Sequence, residues 1–304
     1  MPAIKPKSAD ALSSIVVLYA ARAARGCGDG FAAIILPAYL TELGFNPFQV
    51  GIVATAALLG TAIMTLAIGH FASRHDLRTL LLVSALMMIA TGVAFPNAAW
   101  LPLVVVVAFA GTANPSSGDI GLFVPLEHAL LAREASDRSR TQIFARYSLV
   151  GGLSTATGAL LAMVPDRLVS IGMGKLAALE LMFYVYAALG LVSLTLYRLL
   201  PRAARRGPDE QHPVALGPSR GIVYRLAALF SLDAFAGGFV VQSLLALWLF
   251  ERFAMSLGAA SVFFFASNTL AAFSYPAAAR LSRRFGLVNT MVFTHIPSSI
   301  CLIL

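Results

Sequence analysis

The chain has 304 residues, of which 59% are hydrophobic and 12% charged, and its formal net charge is +8 at pH 7. Soluble domains carry about a quarter charged residues, so this composition excludes an ordinary soluble domain. The basic residues lie between apolar runs, where membrane topology explains them, and we therefore predict no nucleic-acid partner. The two cysteines, Cys27 and Cys301, lie in separate apolar runs and predict neither a disulfide nor a metal site.

Apolar runs of roughly twenty residues recur along the chain, and this length is typical of transmembrane helices. Backbone groups in lipid must bond within their own segment, which favours helices over strands. We predict an all-α polytopic membrane protein with about nine spans. The predicted spans are 12–40, 48–69, 79–96, 101–131, 141–164, 176–198, 222–250, 257–281 and 287–304.

The basic residues between the spans predict the orientation. A cytoplasmic N-terminus places fifteen of the 22 Lys and Arg residues in the cytoplasm and three outside, with four in or at the edges of spans. This asymmetry follows the positive-inside rule. We expect an integral protein of a bacterial cytoplasmic (inner) membrane with its N-terminus in the cytoplasm.

The first span contains the charged stretch "RAARGCGDG". At 100° per residue, Arg22, Arg25 and Asp29 share one helix face. A charge near mid-membrane costs about 2.5 kcal/mol or more unless it is paired or hydrated, and such residues mark substrate or ion pathways. We therefore predict a pathway site on this face. A structural ion pair between Arg25 and Asp29, four residues apart, is the alternative.

The fourth span contains "NPSSGDIGLFVPLEHALLA", in which Pro115 and Pro125 bracket Asp119. The prolines predict a broken helix. Transporters place binding groups at such breaks, so Asp119 is a second candidate for the pathway, with solvation of the kink as an equal alternative. Glu127 and Arg146 lie at similar depths in adjacent spans and are predicted to form a structural ion pair.

Polar residues also interrupt the seventh and eighth spans. Asp233 lies about as deep in the seventh span as Arg22 does in the first, and it is a candidate pathway residue or proton site. Gln242 and Asn268 are candidates for lining the same cavity. Interhelical hydrogen bonds are an equally good interpretation of these two amides.

Two related segments indicate an internal repeat. "GHFASRHDLRTLLL" at 69–82 and "ARLSRRFGLVNTMV" at 279–292 each follow the second span of a half, with an offset of 210 residues. Repeated half-bundles are typical of secondary transporters. An Arg-, Pro- and Gly-rich stretch between the halves is predicted to be a cytoplasmic linker.

The motif, the repeat and the topology together resemble the major facilitator superfamily. Its loop after the second helix carries a Gly-x-Leu-Ala-Asp-Arg-x-Gly-Arg-Arg-type motif. Here the glycine and two arginines match, whereas Ser73 replaces the aspartate and Asp76 the second glycine. The resemblance implies a gating loop with a second copy in the other half. The residues concerned are Gly69, Arg74, Asp76, Arg78, Arg284 and Gly286.

The resemblance also implies twelve helices in two bundles. We accordingly expect an N-terminal six-helix bundle at 1–200, a linker at 201–221 and a partial bundle of three helices at 222–304, in a chain truncated at its C-terminus. In that family the first and seventh helices face each other across the cavity. The resemblance therefore implies that Asp233 pairs with Arg22 or Arg25 in one state of a transport cycle.

The function that follows is secondary active transport of a small solute by alternating access. Proton coupling is left open, with Asp29, Asp119 and Asp233 as candidate carriers. The expected partners are a small-molecule substrate and the lipid bilayer. We expect no cofactor and no metal.

Two rival functions remain. "GCGD" at 26–29 matches a Gly-x-Gly-Asp signature of intramembrane aspartyl proteases. Those enzymes need a second, closely apposed carboxylate, and their Tyr-Asp and Pro-Ala-Leu motifs do not occur in this sequence. We therefore predict that the chain is not an enzyme. The other rival is a truncated membrane protein that does not transport.

Overall fold

The computed structural model describes residues 8–72, 75–116, 121–134, 140–201, 220–237 and 241–303, and these residues are helical throughout apart from turns and short connections. The predicted all-α fold is therefore confirmed. The helices are α1 (Ser8–Glu42), α2 (Pro47–Phe71), α3 (Leu77–Ala94), α4 (Leu101–Ala110), α5 (Phe123–Glu134), α6 (Arg140–Leu161), α7 (Val164–Ser170), α8 (Lys175–Leu199), α9 (Arg220–Gly237), α10 (Gln242–Phe253), α11 (Leu257–Phe285) and α12 (Leu287–Ile303).

Several helices have the length and apolarity needed to cross a bilayer. Among the described residues five helical segments meet both conditions, with mean hydropathy between 1.4 and 2.1. They are Pro47–Phe71, Leu77–Asn97, Arg140–Ser170, Lys175–Leu199 and Leu257–Phe285. At 1.5 Å per residue each is longer than the hydrocarbon core is thick. The count of about nine spans stays a prediction.

Two predicted spans are each divided into two helices. The fourth is interrupted between α4 and α5, which confirms the break that its prolines predict. The seventh, predicted as one span over 222–250, is divided as well. Its first part, α9, ends at Gly237, and α10 begins at Gln242.

The helix ends follow local sequence signals. Asn46 precedes α2 and accepts a hydrogen bond from the Gln49 N–H, and the Gln49 side chain accepts one from the Asn46 N–H, both at 2.9 Å. This reciprocal capping box satisfies two donors that the helix start would leave unpaired. At the end of α11, Gly286 has φ +83°, a conformation that residues with a Cβ rarely adopt.

The centre of the packed region is α1. It packs against α6 and α8, while α3 packs against α8 and α2 against α4. The second half of the chain reaches this bundle through α10, which contacts α1, and α11, which contacts α6. Side chains of α1 from Phe31 to Leu36 are almost fully buried. The face that carries the predicted charges therefore lies inside the protein rather than toward lipid.

The first part of the seventh predicted span differs from the second. Along α9, every side chain whose exposure is described is exposed, whereas α10 buries Ser243, Ala246 and Leu247. The predicted linker at 201–221 lies mostly outside the described residues, which resume at Arg220. The proposed domain boundaries stay a prediction.

Candidate functional site

The charged face of α1 is enclosed by other helices. Arg22 and Arg25 are 1% and 2% exposed, and Asp29 is partly buried. Charged side chains are almost never this buried without partners. The contacts of this face therefore decide what the site can do.

Glu127 on α5 is the ion-pair partner of Arg25. Its carboxylate is 0% exposed and accepts hydrogen bonds from the Arg25 guanidinium, from the Tyr147 hydroxyl on α6 and, at 2.6 Å, from the Tyr197 hydroxyl on α8. The predicted pair of Glu127 with Arg146 is wrong, because Arg146 is exposed on α6. The alternative pairing of Arg25 with Asp29 stays a prediction.

The Arg25 guanidinium has further partners. Its Nε donates to the Tyr197 hydroxyl at 3.0 Å, and its Cζ lies 4.1 Å from the centre of the Phe123 ring. A buried ion pair is stable only when additional hydrogen bonds satisfy both ions. Here the phenols and the aromatic face supply them. The cluster of Arg25, Glu127, Tyr147 and Tyr197 joins α1, α5, α6 and α8, and we call it the Glu127 cluster.

Arg22 precedes Arg25 by about one turn of α1, and its guanidinium packs against α6. Its Cζ is 5.3 Å from the centre of the Tyr147 ring. A Cβ placed on Gly151 would lie 2.3 Å from its Nε. Glycine at 151 therefore makes the space that the guanidinium occupies. The small residues of "GGLSTATGALL" on α6 allow α1 and α6 to approach each other closely.

Asp29 faces α8 and the interrupted fourth span. The Tyr186 hydroxyl lies 3.5 Å from its Oδ1 and 3.2 Å from the Thr112 hydroxyl, and the Thr112 N–H donates to the Thr91 hydroxyl at 3.1 Å. A contact of 3.5 Å is at the limit of a hydrogen bond. The protease alternative requires a carboxylate next to Asp29; among the described residues Tyr186 places a phenol there.

The two interrupted spans meet at the surface of α1. Ser243, the second residue of α10, donates its N–H to the Pro115 carbonyl at 2.9 Å and its hydroxyl to the Ala33 carbonyl at 2.6 Å. Gln242, a predicted pathway residue, is the half-buried first residue of α10. The breaks therefore bring backbone groups of both halves of the chain to the same depth.

The predicted gating loop is described in part. Arg78 donates to the carbonyls of Tyr197 and Arg198 at 3.3 and 2.6 Å, which ties the start of α3 to the end of α8. Asp76 occupies the N-cap position of α3. Gly69 and Arg284 are exposed, and Gly286 ends α11. Arg78 therefore has a structural contact in this conformation, and the role of the whole loop in gating stays a prediction.

Other predicted site residues fall partly outside the structure. Arg74 and Asp119 lie outside the described residues, and Asp233 lies in α9 but its side chain is not among those described. Pairing of Asp233 with Arg22 or Arg25 therefore stays a prediction. Asn268 is half-buried in α11, and its Nδ2 is buried with no hydrogen-bond partner in the described part of the chain.

Sequence reasoning missed the tyrosines that complete the site. Tyr147, Tyr186 and Tyr197 are at most 1% exposed and lie beside the charged residues. A phenol in an apolar span must hydrogen-bond when it is buried. The tyrosines of α6 and α8, the two helices that pack most extensively against α1, were therefore a usable signal, although the sequence does not say which phenol reaches which carboxylate.

Comparison with known proteins identifies related folds. A family model described as Major Facilitator Superfamily matches residues 18–304. An uncharacterized membrane protein of Saccharomyces cerevisiae is 23% identical over 338 residues, covering 100% of this chain and 75% of that protein.

Two transporter structures have similar folds. A bacterial homolog of the human lysosomal transporter Spinster, crystallised in an inward-facing and unoccupied conformation, has a TM-score of 0.65 at 15% identity over 92% of this chain. A mutant of the nucleoside transporter NupG has a TM-score of 0.64 at 14% identity over 91% of this chain. The chain spans 64% of the Spinster homolog and 70% of NupG.

Proposed function

Because this chain belongs to the Major Facilitator Superfamily, an integral membrane transporter family, we propose that it moves a small solute by alternating access as a secondary active transporter. The observation that carries the proposal is the set of buried charges on α1 beside two interrupted helices. Charges at this depth are costly and are typical of substrate or ion pathways. Interrupted helices at mid-membrane place backbone polar groups where a solute binds.

The pathway that we propose runs along α1 between the two halves. We assign Asp29 and Arg22 on α1, Gln242 on α10 and Asn268 on α11 to this pathway. The buried amide nitrogen of Asn268 supports this assignment, because a buried donor needs an acceptor and a solute or water provides one. Asp119 and Asp233 complete the proposed set. Arg25 is neutralised by Glu127 and supports the wall from behind.

Proton coupling follows from the same arrangement. Asp29 is the partly buried carboxylate of the α1 face, and the Tyr186 and Thr112 hydroxyls next to it can orient a proton or water. Asp119 and Asp233 are further candidate carriers. Glu127 is a poorer candidate by comparison, since the Arg25 guanidinium and two phenol hydroxyls already bind its carboxylate.

The test is uptake by the full chain in sealed vesicles that contain a pH-sensitive dye, against a panel of small solutes. Solute-dependent acidification that Asp29→Asn abolishes would support coupled transport through Asp29. Glu42→Gln is the matched control, because Glu42 lies at the end of α1 in a partly exposed ion pair with Lys175. Equal loss in both variants, or solute movement that Asp29→Asn leaves unchanged, would contradict the role of Asp29.

Pairing across the cavity has its own test. We propose that Arg22 approaches Asp233 in one state and separates from it in the other. Arg22→Cys with Asp233→Cys should form a disulfide in one of two conditions that favour opposite states, for example opposite pH gradients. A pair that never crosslinks under either condition would rule out the contact.

A further inference from the structure

The C-terminal half of α1 contains a proline that leaves one backbone carbonyl without its helical donor. In a continuous helix the Ala33 carbonyl would accept from the N–H of residue 37. Residue 37 is proline, which has no N–H, and α1 continues past it to Glu42. Ala33 is 0% exposed, so water does not reach this carbonyl from the surface. An unsatisfied buried carbonyl is costly, and a donor is needed.

The donor comes from the other half of the chain. The Ser243 hydroxyl donates to the Ala33 carbonyl at 2.6 Å, and Ser243 is 1% exposed. The N–H of Ser243 is one of the first four of α10, which have no acceptor within that helix. It donates to the Pro115 carbonyl at 2.9 Å. Ser243 thus pairs three backbone groups: the Ala33 carbonyl beside the α1 proline, the Pro115 carbonyl in the fourth span and its own N–H at the start of α10.

The two residues are also equivalent by sequence. Ser243 follows Ala33 by 210 residues. The two copies of the repeat, at 69 and 279, have the same offset. Parallel half-bundles are related by a pseudo-twofold axis along the membrane normal, so a contact between equivalent positions lies close to that axis. The hydrogen bond therefore joins the halves close to the symmetry axis that relates them.

We propose that Ser243 and the Ala33 carbonyl form a latch between the two halves, and that Pro37 creates it by removing the competing donor. The proposal rests on alternating access as the proposed function. The latch holds closed the side of the membrane at which α1 ends. When that side opens, the halves separate and the Ala33 carbonyl must take a donor from water or solute, because α1 itself offers none.

The test measures the separation of the halves on the side where α1 ends. Spin labels are attached at Ser170→Cys, at the end of α7, and at Arg252→Cys, in the last turn of α10; both positions are exposed. Cys27 and Cys301 are replaced by alanine. Pulsed electron paramagnetic resonance then gives the distribution of label distances for the full chain in lipid, with a shorter distance for the closed state.

Ser243→Ala should raise the ratio of open to closed molecules about threefold, the factor that corresponds to an average interhelical hydrogen bond in a membrane protein. Ser243→Thr keeps the hydroxyl and should retain the original distribution. Ser261→Ala is the matched control, because Ser261 is 0% exposed but donates within its own helix, to the Leu257 carbonyl at 2.7 Å. A Ser243→Ala distribution that equals that of Ser261→Ala overturns the latch.

Pro37→Ala tests the origin of the latch. It restores an N–H to residue 37, so the Ala33 carbonyl keeps a partner when the halves separate, and the open fraction should rise as in Ser243→Ala. The double variant should show less than the sum of the two effects, because both act on one carbonyl. Additive effects overturn the role of Pro37. Pro297→Ala, at an exposed proline of α12, is the control.

The latch and the proposed function can fail independently. The distances need no substrate, so a chain that carries no solute in the vesicle assay still reports whether Ser243 holds the halves together. If the chain transports solute but Ser243→Ala leaves the label distances unchanged, the proposed function stands and the proposed latch is overturned.

Discussion

Glu127 shows how one buried carboxylate can organise four helices. It receives the Arg25 guanidinium and two phenol hydroxyls, which come from three other helices. The attraction between two buried ions is large, but so is the cost of removing them from water. The two phenols change this balance, because they satisfy acceptor sites that the guanidinium leaves open. Removing one partner therefore costs more than the ion pair alone contributes.

Glu127→Gln should lower the apparent melting temperature in detergent by roughly 5–10 °C, since a buried Arg25 without its counter-ion costs about 3–5 kcal/mol. Glu42→Gln is the control, because the Glu42 and Lys175 side chains are 31% and 60% exposed and such pairs contribute little. Dye-monitored unfolding of both variants measures the difference. Equal melting temperatures would mean that the Glu127 cluster does not stabilise the bundle.

The sequence predicts this site only in part. Arg22, Arg25 and Asp29 stand out because charges interrupt an apolar run, and the structure does bury both arginines. The partner of Glu127 was predicted wrongly, because depth along a helix does not fix rotation about its axis. Arg146 is next to Tyr147, but one residue turns the chain by 100°, which exposes the arginine and buries the phenol.

At the scale of elements, glycines set the distance between α1 and α6. A Cβ on Gly30 would lie 2.1 Å from the Thr155 carbonyl oxygen, and a Cβ on Gly158 would lie 2.0 Å from the Cys27 carbonyl oxygen. Both neighbours are backbone atoms, which cannot move without moving a helix. Small residues at helix interfaces allow this close approach in membranes, where apolar burial does not drive association.

Gly30→Ala should therefore destabilise the protein by about 1–3 kcal/mol, as overpacking does elsewhere. Gly51→Ala in α2 should have the opposite sign, because a Cβ there meets no described atom within 4 Å and alanine favours a helix by about 1 kcal/mol over glycine. Unfolding of both variants in the same detergent tests the pair. A Gly30→Ala protein as stable as Gly51→Ala would show that the two helices separate freely.

The two interrupted spans illustrate which breaks a sequence reveals. Pro115 and Pro125 predict the interruption between α4 and α5 because proline removes a donor and clashes with the preceding turn. The sequence at the end of α9, "AGGFVVQ", contains a glycine pair. Glycine lowers helix propensity without forbidding the helix, so an apolar run with two glycines is still predicted as one span. At the seventh span, the interruption is instead stabilised by the tertiary contacts of Ser243.

At the scale of the whole molecule, the orientation in the membrane can be tested directly. The distribution of Lys and Arg predicts that Lys175 and Arg252 lie outside and that Arg198 and Arg284 lie in the cytoplasm. Single cysteines at these positions, in a chain without Cys27 and Cys301, should react with an impermeant reagent in intact cells only at the first two. Labelling of Arg198→Cys and Arg284→Cys instead would invert the topology.

A second contact between the halves lies on the same side as the Ser243 latch. The Asp166 carboxylate of α7 accepts a hydrogen bond from the Gly258 N–H at 2.9 Å, at the start of α11. Unpaired N–H groups give a helix start a partial positive charge, which attracts an anion. Asp166 is exposed, so this attraction acts in water, whereas the hydroxyl of Ser243 acts inside the protein.

Asp166→Ala should raise the open fraction in the label-distance experiment by less than Ser243→Ala does. Salt separates the two contacts, because exposed charges are screened over about 8 Å at 0.15 M ionic strength and about 3 Å at 1 M. The effect of Asp166→Ala should fade as salt rises, while that of Ser243→Ala should persist. Equal salt dependence of the two variants would mean that both contacts respond to one charge interaction. The proposal that a surface charge and a buried hydroxyl hold the halves closed separately would then be wrong.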